Sequence, residues 1–154
     1  MNQEPGITLT HQGGYRFLID FAPAAASLLA DEAAPLGEGV GPTPGQLLAA
    51  AVANCLGASL LFALKKFKQD PSGLRAAATI RTGRNAENRL RVEEIRVDIA
   101  LGRPGGEIEH LARILDQFEN FCTVSQSVRA GIPIAVTVTD VGGITLKGDG
   151  RAAR

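Results

Sequence analysis

Residues 41–68, GPTPGQLLAAAVANCLGASLLFALKKFK, form the longest apolar run of the chain, with Cys55 in its middle. The run opens like a helix. The Thr43 hydroxyl can cap orphan backbone N–H groups, Pro44 takes the first helical position without losing a hydrogen bond, and Gln46 can reach back to complete a capping box. Leu47 to Leu64 carries no charge, and its apolar residues do not keep to one stripe, so the helix is expected to be buried all round. An uncharged run of about 18 residues also reaches the lower edge of a membrane span. The many Ala and Gly, the polar Asn54 and Ser59 and the alternating sequence on either side favour the core helix of a soluble sheet protein instead. At about 1.5 Å per residue such a helix exceeds ~30 Å. A chain of 154 residues can hardly wrap that rod alone, so a second subunit is expected to help cover it.

The length suits one domain over residues 1–154, with 140–154 as a glycine-containing tail that frays at its end. Charge balances at 16 basic against 16 acidic side chains, Trp is absent and Tyr occurs once. Neither the basic stripe nor the aromatic faces of a nucleic-acid binder are present. The start, MNQEPGITLT, has no basic segment followed by an apolar one, which predicts a cytoplasmic protein. Two cysteines in that compartment point to reduced, metal-bound or catalytic thiols rather than to a structural staple.

Residues 7–10 and 15–21 alternate as two strands around His11-Gln12-Gly13-Gly14, a turn supplied with glycine for positive φ. His11 is expected to be a solvated loop residue, since no other His, Cys or acid stands at metal-ligand spacing. Residues 22–42, rich in Ala, Gly and Pro, form a long loop with room for a short strand near Leu28. Such a loop either lines a site or merely connects hairpin to helix. After the helix, Asp70-Pro71-Ser72-Gly73 turns the chain, and Leu74, Ala76, Ala78 and Ile80 alternate as a half-buried strand. The apolar phase of the next strand, residues 90–101, slips at Glu93-Glu94, where a bulge restores one buried face. Ile108, Leu111, Leu115 and Phe118 recur at helical spacing over 107–121, and Cys122 continues the stripe. His110 falls among charged neighbours and is expected at the surface. A short helix over 123–130 stops at Gly131; strands follow at 132–139 and at 144–146.

This order of elements, together with Gly41-Pro42-Thr43-Pro44, Leu47, Leu48, Ala50, Asn54-Cys55 and the distant Phe121-Cys122-Thr123-Val124-Ser125, resembles the osmotically inducible protein C and organic hydroperoxide resistance (OsmC/Ohr) family over nearly the whole chain. The resemblance implies an α+β fold in which two chains intertwine as a homodimer, with antiparallel and mixed sheets around long Cys-bearing helices and each site built from both subunits. It also implies a thiol peroxidase that needs no metal or prosthetic group. In that scheme Cys55 attacks an organic hydroperoxide and becomes a sulfenic acid, Cys122 condenses with it to a disulfide, and an external dithiol restores both. In the family an arginine from the segment before the helix supports the thiolate, and a glutamate just after the helix-opening proline holds that arginine. Here Gly45 occupies the glutamate position, and Arg16 is the only upstream cation between the hairpin and Asn54.

A thiol in apolar surroundings has a raised pKa and is inert unless a cation or a helix N-terminus is near. Arg16 and Arg129 are the candidate cations, and Cys122 directly precedes a short helix whose dipole favours a thiolate. Leu47, Leu48 and Phe62 offer apolar walls for a fatty or aromatic substrate. Two alternatives stay open: two buried cysteines filling the core in the ordinary way, or a protein that keeps the fold and binds a small apolar or thiol ligand without turnover. Two Cys and two His at these spacings match no familiar zinc pattern.

Overall fold

Helix α1 spans Pro44–Lys66 and opens on a reciprocal capping box in the computed structural model, which describes residues 6–21 and 25–148. Thr43 Oγ1 accepts the Gln46 N–H at 3.2 Å, and Gln46 Oε1 accepts the Thr43 N–H at 2.9 Å. Two donors that the helix start would otherwise leave unpaired are thereby satisfied. Thr43→Ala should lower stability by about 1 kcal/mol in chemical denaturation, and Gln46→Ala by less. An unmoved midpoint in Thr43→Ala would show that the cap contributes nothing.

One face of α1 is buried, through Ala49, Val52, Ala53, Leu56, Leu60, Ala63 and Leu64, which recur three and four residues apart. The opposite face is not covered by the described residues: Ala50, Ala51, Asn54, Ala58 and Phe62 are exposed, and Leu47, Leu48, Cys55 and Leu61 are half-buried. The all-round burial expected from the sequence is therefore met on one side only. By length and composition α1 could cross a membrane, and half of its most apolar window is buried inside the protein.

The chain divides into two units, Met1–Leu48 and Ala49–Arg154. In the first, β1 (Thr8–His11), β2 (Phe17–Asp20) and β3 (Leu28–Ala30) form an antiparallel sheet in that order. Gly13 and Gly14 make the tight turn with φ of 92° and 56°. His11 closes β1, its Nε2 lying 3.0 Å from the Gly14 carbonyl oxygen and its ring tilted against Phe17. The loop after β3 is wound around a single carboxylate. Buried Asp31 accepts the N–H groups of Glu32, Glu38 and Val40 at 2.8, 3.0 and 3.2 Å, and its own N–H reaches the Pro42 carbonyl. Burial alone pushes this carboxyl up, but the backbone N–H groups aimed at it hold it below the usual range.

The second unit holds a four-stranded sheet in the order β4 (Arg75–Arg84), β5 (Leu90–Ala100), β6 (Ile134–Thr139), β7 (Thr145–Lys147). The fold is thus α+β, with two sheets and one long helix. The expected bulge is present: Arg81 faces Glu94 and Thr82 faces Val92, leaving Glu93 as the extra residue, whose carboxylate binds Arg81. With the phase restored, Ile95, Val97 and Ile99 are all buried. β5 and β6 are parallel, which requires a crossover. It consists of α2 (Leu111–Gln117), a 3₁₀ turn at Phe118–Phe121 and α3 (Thr123–Val128).

The helix expected over 107–121 is therefore shorter. Gly105–Glu107 is a 3₁₀ turn, and His110 has a left-handed φ of 59°, so α-helix begins only at Leu111. The apolar stripe survives, with Ile114, Leu115, Phe118 and Cys122 all buried. His110 is exposed, its ring against that of Phe67. The segment expected to be a tail is ordered through Lys147, because buried Asp140 accepts the N–H groups of Gly105, Gly142 and Ile144 at 3.0, 2.9 and 2.9 Å. Residues 149–154 lie outside the described residues.

Candidate active site

Cys55 stands on the half-buried edge of α1, and Cys122 is buried at the residue that opens α3. The crossover between β5 and β6 brings Cys122 close enough to Cys55 to raise the Cys55 pKa, and both thiols are free. Cys122 is held by its main chain: its N–H donates to the Glu119 carbonyl at 3.1 Å, and its carbonyl accepts the Gln126 N–H at 3.0 Å and the Ser125 hydroxyl at 3.4 Å.

Burial and the Cys122 thiol both push the Cys55 thiol up, while the N–H groups of Val124 and Ser125 pull it part of the way back. The net result is a thiol less acidic than usual. The Cys122 side chain caps no N–H of α3. The amides that open this helix act on Cys55, whereas the sequence suggested that they would favour a thiolate at Cys122 itself.

Each candidate cation has an acidic partner within its own unit. Arg129 donates to Glu119 Oε2 at 2.6 Å, and Arg16, in the first unit, donates to Glu38 Oε2 at 3.1 Å and towards the Gln12 and Gly13 carbonyls. Arg129, in the same unit as Cys55, is not among the groups that move the Cys55 pKa. Leu47 and Leu48 are half-buried on α1, and Phe62, two turns beyond Cys55 on the same helix, is 61% exposed. Among the described residues no three His, Cys, Asp or Glu side chains gather as a metal site. The residues that sequence reasoning missed are the Val124 and Ser125 amides and Glu119, which binds both Arg129 and Lys147. Glu119 reads in sequence as one more charge on an amphipathic helix, and Lys147 falls in the supposed tail.

The pattern of the family described as OsmC-like protein matches residues 37–137, a span that includes both cysteines. The chain belongs to the OsmC-like family. Its fold is similar to that of the OsmC-like protein of Mycoplasma pneumoniae (16% identity, TM-score 0.73, covering 90% of this chain and 99% of that one). It is also similar to an organic hydroperoxide resistance protein of Elizabethkingia anophelis (21%, TM-score 0.67, covering 91% and 99%). A third similar structure is the organic hydroperoxide resistance protein OsmC of Legionella pneumophila (17%, TM-score 0.67, covering 91% and 100%). At these identities the likeness is one of fold. No curated protein matches the chain.

Proposed function

We propose that this OsmC-like protein is a thiol-dependent peroxidase for organic hydroperoxides, in which Cys55 attacks and Cys122 resolves. The proximity of Cys122 to Cys55, felt in the Cys55 pKa, carries the proposal, because a resolving cysteine must reach the sulfur it captures without large rearrangement. The organic hydroperoxide resistance proteins of similar fold support it. Cys55 is the attacker because it is the more accessible of the two. Its thiolate displaces the alcohol from the terminal peroxide oxygen: the O–O bond breaks, the alkoxide leaves as alcohol after taking a proton, and Cys55 carries a sulfenic acid. The Cys122 sulfur then attacks Cys55, hydroxide leaves as water, and the disulfide forms. An external dithiol reduces it by two thiol–disulfide exchanges.

Leu48, Cys55 and Phe62 stand seven residues apart and so share one face of α1, where Leu47 extends the apolar surface. That face suits a fatty or aromatic hydroperoxide and, around it, a second copy of the chain. On this proposal the protein works as a homodimer. The raised pKa of Cys55 and the glycine at position 45 favour one second reading, a non-catalytic protein that binds a small apolar or thiol ligand.

With dithiothreitol present, the purified protein should consume cumene hydroperoxide, and without it one equivalent should yield an intrachain Cys55–Cys122 disulfide by mass spectrometry. Cys122→Ser should stop at a dimedone-reactive sulfenic acid on Cys55 and pass to sulfinic acid with excess oxidant. If Cys55 stays reduced while Cys122 alone is modified, the binding reading replaces the peroxidase.

A further inference from the structure

Glu119 joins three elements, the 3₁₀ turn that ends at Cys122, the end of α3 and β7. It lies in the 3₁₀ turn between α2 and α3, and its side chain is only 14% exposed. One carboxylate oxygen takes Arg129, just past α3, at 2.6 Å; the other takes Lys147 of β7 at 2.9 Å. Its main-chain carbonyl accepts the Cys122 N–H at 3.1 Å and the Gln126 side-chain amide at 2.9 Å. Lys147 also donates to the Leu115 carbonyl and lies 5.2 Å from the centre of the Phe118 ring. The Nε of Arg129 is buried with no hydrogen-bond partner among the described residues, so this guanidinium depends on the Glu119 carboxylate. Burial pushes Glu119 up, yet the hydrogen bonds and charges of Arg129 and Lys147 outweigh it and keep the carboxyl ionised at neutral pH.

These contacts leave the Cys122 sulfur untouched and act on the turn that carries it, through the Cys122 N–H on the Glu119 carbonyl. Exposed ion pairs contribute little, but a shielded carboxylate bridging two cations costs more to break, since its removal leaves two half-buried cations beside each other without their counter-charge. We propose that Glu119 is a positioning residue for Cys122: by binding Arg129 and Lys147 it holds the Cys122 turn in place, and so sets how readily the Cys55–Cys122 disulfide closes. In the peroxidase reaction, on which the oxidant alone depends here, closure forms the S–S bond, breaks the sulfenic S–O bond and releases water. Against an oxidised dithiol the same bond forms while the dithiol S–S bond breaks, two electrons passing from the cysteine pair to the dithiol.

The equilibrium of that second reaction measures the effective concentration of Cys122 at Cys55. In Glu119→Gln, the equilibrium constant for disulfide formation against oxidised dithiothreitol should fall about tenfold, and hydroperoxide treatment should accumulate more Cys55 sulfenic acid than in the parent. A merely structural role would lower Tm without moving that constant. Lys147→Gln removes one of the two cations and should shift the constant in the same direction by less, and it decides the matter if Glu119→Gln does not fold. A folded Glu119→Gln with an unchanged constant overturns the proposal. If the parent forms no sulfenic acid at all, the peroxidase reading falls, and the dithiothreitol equilibrium still decides the role of Glu119.

Discussion

Cys55 should consume cumene hydroperoxide about ten times faster at pH 8 than at pH 7, with no plateau between them. Only the thiolate attacks, and below a thiol's pKa the thiolate fraction rises about tenfold per pH unit. Burial and the Cys122 thiol raise the Cys55 pKa by more than the Val124 and Ser125 amides lower it, so the step from pH 7 to pH 8 lies on that rising limb. The same shift bears on stability. A thiol whose folded pKa exceeds the unfolded value of about 8.5 contributes stability that is complete below the unfolded pKa and is lost as pH rises through the folded one. Single-turnover rates between pH 6 and 9.5 give the profile. A plateau reached by about pH 7 would mean that a cation outside the described contacts serves Cys55.

The local features of this fold were readable in sequence because each is decided within a few residues. The Thr43–Gln46 capping box needs only its own four positions. The bulge at Glu93 shows as a slip in alternation. The break of the 107–121 helix was not readable, because a 3₁₀ turn and an α-turn both bring Ile114, Leu115, Phe118 and Cys122 to one side, so periodicity alone does not separate them. Long-range partners were hidden altogether. Nothing in the Ala- and Gly-rich stretch marks Asp31 as the centre of its loop, and nothing near Arg16 marks Glu38 as its partner. The approach of Cys55 to Cys122 was implied by family likeness and could not be worked out from their spacing, since the crossover that joins them is a tertiary event.

The protein should sediment as a dimer at micromolar concentration, with no detectable monomer. The chain leaves one face of a helix about 35 Å long uncovered, and that face is apolar: Ala50, Ala51, Ala58 and Phe62 are exposed along it. The first unit adds to the deficit, since Leu9, Phe17, Leu18 and Phe21 are exposed on or beside a three-stranded sheet that buries little more than Ile19 and Ala30. Sheets of this size need an apolar face covered to be stable, and monomers seldom display apolar patches beyond a few hundred Å². A stable homodimer interface, of the order of 800 Å² per partner or more, is the cover that a second copy of the same chain supplies. Ala58→Glu would bury a charge at the centre of that face, at a cost of about 3 kcal/mol or more, and should raise the dissociation constant at least about a hundredfold. Sedimentation velocity of both proteins decides it. A well-folded parent that runs as a monomer, or an Ala58→Glu variant that dimerises as tightly as the parent, would remove α1 from the interface and with it the second subunit from the site.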